Sequence, residues 1–295
     1  MKNYLYDFLK KCEYSESDIA FLTATYEAIA SHPEASALWE QAIALYRENI
    51  HCDFKKILSL ANRAAEILSI HKYTAELLIF LCLTQRLREE YEKRGVDVKI
   101  FDDTVLDLKY KNEECKLVKG IVGSFVAEWF FKFFDMTRFA LGRLQFQIID
   151  FAHSYEKDGT TLMPETKVID VHIPRSLQPL DEKSCDEAFA QAKVFFANEI
   201  GDICAFVCHS WLLYPEHETM LSHESNVYRF MKRFDIIKSG YSHSKGDLWR
   251  LFDTDEKDPD KLPADSSMRR AYVDHLMRGG KTGHAYGVYV PHFSK

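Results

Sequence analysis

The chain has 295 residues, a hydrophobic fraction of 46% and a formal net charge of −7. This length allows one large domain or two ordinary domains with buried cores, and we expect two. The acidic balance excludes a general basic surface of the kind that binds the phosphates of nucleic acids.

The N-terminal segment Met1–Cys12 is amphipathic and lacks the uninterrupted apolar core of a signal peptide. No stretch reaches the roughly 18 consecutive apolar residues that a membrane-spanning helix needs. The seven cysteines are odd in number and scattered, which is not the pattern of a disulfide framework in a chain this long. We therefore expect a cytoplasmic protein with reduced thiols and no membrane or nucleic-acid partner.

Helical periodicity extends through roughly the first 135 residues. Ser15 and Asp18 have the spacing of a capping box at the start of one helix, and Pro33 ends that helix. The aromatic residues of 118–135 recur every three or four positions, which predicts a long, buried helix that bridges two domains. We place an all-helical N-terminal domain at 1–120.

The pattern changes after Thr137, where polar and apolar residues begin to alternate. Residues 144–148 and 168–173 are predicted to be half-buried strands. The remaining predicted elements are a helix at 184–198, a central strand at 203–214, a helix at 227–234, short strands at 236–237 and 248–252, a helix at 268–276 and a strand at 286–290. This order predicts an α+β or mixed α/β domain at 121–295, with helices on one mixed sheet.

Three motifs are typical of ligand sites but have the wrong context. The glycine-rich segment Gly279–Gly283 lacks the first glycine of a phosphate loop and leads from a helix to a strand, so it indicates a turn. The acidic segment Asp253–Asp260 departs from a calcium loop, because Asp258 stands where glycine is required. The histidines lack zinc-site spacing, and we predict no metal.

Asp170 and His172 share one face of a predicted strand, about 7 Å apart along the chain. A carboxylate beside an imidazole is an arrangement that suits a general base, so His172 and Asp170 are our catalytic candidates. A structural histidine that hydrogen-bonds a neighbouring loop is the alternative. His209 and Ser210 point to opposite faces, which disfavours a hydrolase that pairs them, and Cys208 has no base visibly beside it.

Arg143, Gln145 and Gln147 share the polar face of the first strand. A row of hydrogen-bonding side chains suits a pocket for a small polar substrate, although it is equally typical of a solvent-exposed strand face. To Arg143 and Gln145 we add His209 and Trp211 as candidate substrate-binding residues.

Several segments together resemble a bacterial family of predicted acyltransferases, which have an N-acyltransferase helical N-terminal domain and a GNAT-like C-terminal domain. These segments are Gly142-Arg143-Leu144-Gln145-Phe146, Val171-His172-Ile173-Pro174, Cys208-His209-Ser210-Trp211-Leu212-Leu213, Ser225-Asn226, Arg270-Ala271 and His275-Leu276. The resemblance covers nearly the whole chain, and its motifs are concentrated after residue 140.

The resemblance implies that the strand 168–173 pairs with the pantetheine arm of acyl-CoA through the backbone of Val171 and Ile173. The loop and helix start that follow would receive the pyrophosphate on backbone N–H groups, with Arg175, Ser176 and Ser184 near the phosphates.

Two features depart from the GNAT pattern. The loop 174–180 contains no glycine, and Asp181 and Glu182 follow it. The tyrosine that often serves as general acid is replaced near Met231, and Tyr228 stands one turn earlier.

We expect acyl transfer from acyl-CoA, which acts as a substrate, to an amine of a small molecule. The alternative is a non-catalytic GNAT-like protein that has lost the pyrophosphate loop and binds a small ligand or a partner protein.

Overall fold

The structure is a computed structural model that describes residues 1–176, 178–242 and 247–291. The chain divides into two compact units, Met1–Phe139 and Ala140–Lys295. The predicted fold class is confirmed, because a helical N-terminal region precedes a mixed sheet with helices. None of the helices in the described ranges is both long and apolar enough to cross a membrane.

The N-terminal unit consists of helices and their connections. Ser15 begins the second helix by accepting a hydrogen bond from the backbone N–H of Asp18, as the sequence predicted. The helices are α1 (Lys2–Lys11), α2 (Glu16–Ser31), α3 (Pro33–Glu48), α4 (Phe54–Ile67), α5 (Lys72–Lys93), α6 (Val98–Lys119) and α7 (Phe131–Phe134).

Helix α5 forms the centre of this unit. Every residue from Leu77 to Thr84 is almost completely buried, so the helix is apolar on all sides. It packs against α1, α2, α3, α4 and α6. A helix that buries its whole circumference can be stable only with neighbours on every side, which accounts for the bundle around it.

The predicted long helix at 118–135 is wrong. Helix α6 ends at Gly120, which adopts a left-handed conformation with φ +68°. Gly123 then passes so close to α5 that an added Cβ would lie 2.4 Å from the carbonyl carbon of Tyr73. The aromatic residues that follow form only a 3₁₀ turn, Ala127–Phe130, and the short helix α7.

The C-terminal unit is built on a six-stranded sheet with the order β1-β2-β5-β6-β8-β7 and a separate hairpin of β3 and β4. Strands β5 and β6 are parallel, and β2–β5, β6–β8 and β7–β8 are antiparallel, which makes the sheet mixed. The strands are β1 (Arg138–Leu141), β2 (Leu144–Asp150), β3 (Tyr155–Lys157), β4 (Thr160–Leu162), β5 (Lys167–His172), β6 (Phe206–Ser210), β7 (Asp235–Tyr241) and β8 (Gly283–Tyr289). The helices are α8 (Glu182–Phe195), α9 (His217–Met220), α10 (Asn226–Met231), α11 (Trp249–Phe252) and α12 (Ser267–Met277).

The two faces of the sheet are covered differently. Phe189 of α8 packs against Phe146 and Phe206 on one face, with ring centroids 6.0 and 4.7 Å apart. On the other face, Leu162 of the small hairpin joins a cluster that includes Val207. This cluster covers only part of that face.

Two predicted strands differ in the structure. The central strand predicted at 203–214 is only five residues long, because the Ser210 hydroxyl accepts a hydrogen bond from Leu212 N–H and starts a 3₁₀ turn. The strand predicted at 248–252 is the one-turn helix α11. Leu248, which directly precedes this helix, and Phe252 are buried in a cluster with Tyr272 of α12.

Candidate active site

Strands β5 and β6 separate at their carboxyl ends. Their parallel ladder joins only Ile169 to Phe206 and Asp170 to Val207. Both strands continue beyond these residues, to His172 and Ser210, without pairing with each other in the described residues. A gap lined by strand backbone therefore opens between the two strand ends.

The two edges of β5 are paired to different extents. Strand β2 pairs with one edge from Lys167 to His172, and β6 pairs with the other edge only at Ile169 and Asp170. Only the end of the edge that faces β6, beyond Asp170, remains unpaired in this ladder, and the backbone of Val171 and Ile173 faces that side because Ile169 N–H bonds Ala205 there. Backbone N–H and C=O groups at such an end can pair with an extended ligand.

The loop that follows β5 leads into helix α8, which begins at Glu182. Asp181 caps the helix by accepting a hydrogen bond from Ser184 N–H at 2.8 Å, and this bond lowers the pKa of the Asp181 carboxyl. The Ser184 hydroxyl donates to the carbonyls of Pro179 and Asp181. The helix dipole favours an anion near this end, whereas the Asp181 charge opposes one.

Arg143 holds the loop between β5 and α8. Its Nε donates to the carbonyl oxygen of Gln178 at 2.9 Å, and its Nη1 donates to that of Pro174 at 3.1 Å. The structure therefore places the Arg143 guanidinium against loop carbonyls, although the sequence suggested substrate binding. Leu177, in the middle of this predicted phosphate loop, lies outside the described residues.

Arg175 and Ser176 stand at the start of the same loop. The Arg175 guanidinium forms a two-pronged ion pair with Asp253, in which Nη2 donates to Oδ2 at 3.0 Å. Arg269 also donates to Asp253, at 2.6 Å. The Ser176 hydroxyl accepts a hydrogen bond from Gln178 N–H. The loop is thus tied to the segment after α11.

Asp170 and His172 do lie together on one face of β5. His172 Nε2 is 3.0 Å from Asp170 Oδ2, and the two side chains are 19% and 12% exposed. Gln147 donates to the same oxygen at 2.8 Å. Gln145, which is directly opposite His172 in the β2–β5 register, is also buried.

His209 occupies the matching position on β6. Because Asp170 pairs with Val207, His172 and His209 each lie two residues beyond the last pair, on the same face and on opposite sides of the gap. The His209 side chain is exposed. Partial burial lowers its pKa from 6.5, and electrostatic interaction with the nearby His284 lowers it further. This imidazole is therefore neutral at physiological pH.

His209 also opens onto a cavity of about 320 Å³. The sequence analysis missed most of its lining, which consists of His153, His209, Lys238, Ser239, Gly240, His284 and Tyr286. The alternation of His284 and Tyr286 in the last strand was a usable signal. The contribution of Lys238 depends on the pairing of β7 with β8, which the sequence does not show.

Trp211 is not among the described residues that line this cavity. It lies in the 3₁₀ turn after β6, where its ring packs edge-on against His217 and Tyr272. His217 is fully buried and its Nε2 is 2.5 Å from the Tyr272 hydroxyl. This arrangement fixes the end of β6.

The candidate nucleophiles of the hydrolase alternative are poorly placed. Burial raises the pKa of Cys208 well above its usual value, so the thiol stays protonated. The Ser210 hydroxyl is used in the 3₁₀ turn. Within the described residues, no group of three or more potential ligands could hold a metal ion.

Two family models match this chain. Residues 3–136 match the N-acyltransferase N-terminal domain, and residues 139–289 match the GNAT-like C-terminal domain. The resemblance drawn from the sequence motifs is thereby confirmed. No protein of curated function matches.

Solved structures of acyltransferases share the fold at low sequence identity. A mutant acyltransferase in complex with octanoyl-CoA is 23% identical, with a TM-score of 0.74. An acyltransferase in complex with decanoyl-CoA and teicoplanin is 22% identical, with a TM-score of 0.73, and one in complex with CoA and 10C-teicoplanin is 23% identical, with a TM-score of 0.72. Each match covers 97% of this chain and 87% of the other.

Proposed function

The chain belongs to the family with a GNAT-like C-terminal domain, and from this we propose that it transfers an acyl group from acyl-CoA to an amine of a small molecule. The main support is the divergence of β5 and β6 at the end of β5 from which the chain leads to α8. The open backbone at Val171 and Ile173 suits the amides of a pantetheine arm, and the helix start suits its phosphates. The acyltransferases of similar fold are described in complex with CoA or acyl-CoA.

The reaction needs little from the protein beyond positioning and one base. The amine nitrogen attacks the thioester carbonyl, the C–S bond breaks, and CoA leaves as a thiolate that requires no strong acid. The base must take the proton that the amine loses. This fits a site that lacks the general-acid tyrosine of the GNAT pattern. Met231 stands near that position, and the ring of the nearby Tyr228 stacks on His223.

We assign the base to His209. Its ring is exposed, lines the cavity and is neutral, whereas His172 is partly buried with Nε2 3.0 Å from Asp170 Oδ2. His172 and Asp170 then position the thioester from the opposite side of the gap. His172 remains the second candidate for the base, and single variants of the two histidines separate the assignments.

The non-catalytic alternative has one specific observation in its favour. Arg175, which should meet the phosphates, is paired with Asp253, and Asp181 caps the helix start with a negative charge. A protein with this arrangement can keep the fold without binding CoA.

Thermal melting distinguishes the two. We expect acetyl-CoA, octanoyl-CoA and free CoA to raise the melting temperature with concentration, which corresponds to about 2.7 kcal/mol of added stability at 100 times Kd. Arg175→Ala should weaken this response, while Arg250→Ala, which removes an exposed arginine, should not. A flat response to all three compounds would leave the non-catalytic alternative as the better account.

A further inference from the structure

The cavity beside His209 extends across three strands. In the strand register, Tyr286 of β8 pairs with His209 on one side and with Lys238 on the other. The three side chains therefore form a row on one face of the sheet. Two strand spacings separate the ends of this row, so the backbones of His209 and Lys238 are about 10 Å apart.

A β-bulge places Lys238 in this row. Ile236 pairs with Gly287, but the next pair is Lys238 with Tyr286, so Ile237 is an additional residue. In a regular ladder residue 237 would face Tyr286 and Lys238 would point to the opposite face. Instead, Ile237 packs against the hydrophobic cluster and Lys238 lines the cavity.

One end of the cavity carries the positive charge of Lys238. Among the described residues that line it, none carries a carboxylate. No carboxylate of the described residues lies within 4.0 Å of the Lys238 ammonium, whereas Lys232, for example, is paired with Glu218. The charge of Lys238 also contributes to the lowered pKa of His209. An anionic group would be attracted to this end of the cavity.

The walls of the cavity are aromatic. Tyr286 stacks on Phe151 with ring centroids 6.4 Å apart and meets the edge of His153 at 5.1 Å. His209 and His284 meet edge to face at 4.9 Å. Flat rings between a neutral imidazole and an ammonium suit a substrate with a rigid, flat body.

The geometry points to an acceptor that carries an anionic group, a carboxylate or a phosphate, at the end of the molecule opposite its amine. This inference rests on the proposed function, because the amine is placed at His209, next to the thioester. The Lys238 ammonium binds the anion, and the aromatic walls hold the body between them. The distance from His209 to Lys238 favours a separation longer than that in an α-amino acid.

A matched pair of amines tests this inference. 4-(Aminomethyl)benzoate and benzylamine differ only in the carboxylate, and CoA release from octanoyl-CoA reports acylation of either. We expect kcat/KM to favour the carboxylate by about tenfold or more, mainly through KM, because a charge-assisted hydrogen bond is made. Lys238→Met should remove this preference and Lys238→Arg should retain it. Lys232→Met, another single lysine substitution, should leave it unchanged.

A binding measurement covers the case in which neither amine reacts. The imidazole proton signal of His209 is followed by NMR with 4-(acetamidomethyl)benzoate or N-benzylacetamide, in the presence of CoA. We expect only the benzoate to shift the signal, and only when Lys238 is present. Equal turnover or equal binding of the two probes, or a preference that survives in Lys238→Met, would overturn the inference. Failure of the proposed function appears separately, as a melting temperature that does not respond to acyl-CoA.

Discussion

The helical unit and the sheet unit place polar side chains differently. In the helical unit, the Asp18 carboxylate accepts hydrogen bonds from Asn112 and Lys116, and Lys111 pairs with Glu114. These charges satisfy one another within the helices. In the sheet unit, the pair of Asp170 and His172 and the imidazole of His209 collect at a gap and a cavity. Polar groups of the first kind stabilise a fold, whereas those of the second kind can act on a ligand.

The backbone shows the same contrast. The helical unit brings two segments into direct contact where Gly123 meets the backbone of Tyr73. The sheet unit separates two strands that could have continued to pair. Extending the ladder would add hydrogen bonds, so a gap at this point has a cost in stability that the proposed binding of acyl-CoA would offset.

The largest expected effect tests this contrast at His209. His209→Ala should lower kcat by roughly 10²- to 10⁴-fold, the usual contribution of a general base, with little change in melting temperature because the side chain is exposed. His172→Ala identifies which histidine is the base, and the larger loss of kcat should be at His209. As the matched comparison, Asp18→Asn should lower the melting temperature and leave kcat near the wild-type value. If Asp18→Asn instead reduced kcat of the folded protein as strongly as His209→Ala, the contrast between stabilising polar groups in the helical unit and reactive ones in the sheet unit would be wrong.

A second test concerns the close backbone contact in the helical unit. Gly123→Ala places a Cβ 2.4 Å from the Tyr73 carbonyl carbon, which no side-chain rotation relieves. We expect a loss of about 3 kcal/mol in the free energy of unfolding, at the upper end of overpacking effects. Gly201→Ala, where nothing lies within 4 Å of the added Cβ, should be nearly neutral. Urea denaturation followed by circular dichroism measures both, and similar losses for the two variants would contradict the contact.

A third test uses His217, the one buried histidine among the described residues of the sheet unit. Burial lowers the pKa of His217 to about 4 from 6.5, so the unfolded chain binds a proton that the folded chain excludes between these values. The stability due to this group is complete above pH 6.5 and is lost as the pH falls toward 4, by about 3 kcal/mol. Urea denaturation at several pH values should show this slope for the wild type and for His51→Gln, an exposed control in the helical unit. His217→Gln should lack it, and an unchanged slope in that variant would assign the proton to another group.

Local patterns explain what the sequence predicted correctly. Periodicity predicted the helices around α5, and alternation predicted β2 and β5. Burial of one face requires an apolar residue at every third or fourth position of a helix and at every second position of a strand. The same alternation predicted that Asp170 and His172 lie on one face. The family resemblance supplied the fold of the sheet unit, which the residue patterns alone left as a mixed sheet.

The errors have tertiary causes. The apolar periodicity of 118–135 is real, but Gly123 must contact Tyr73, which is 50 residues away in the chain, and this contact breaks the helix. Arg175 and Asp253, which form an ion pair, are likewise distant in sequence. The bulge that directs Lys238 into the cavity depends on the pairing of β7 with β8, which are also distant in sequence. A single sequence carries no sign of such pairings, so the cavity beside His209 could not be predicted.

The smallest expected effect is a shift of the pH profile caused by Lys238. Acylation requires neutral His209, so kcat/KM should fall as the pH drops through the pKa of this imidazole, which lies below 6.5. Burial and the charges of His284 and Lys238 lower this pKa, while Asp170 raises it. Removing one positive charge in Lys238→Met therefore raises it, and the acidic limb of the profile should move to higher pH. Lys232→Met, which removes a lysine paired with Glu218, should not move the limb. A Lys238→Met profile that coincides with the wild type would show that His209 does not sense this charge, and a limb that persists in His209→Ala would assign the titration to a different base.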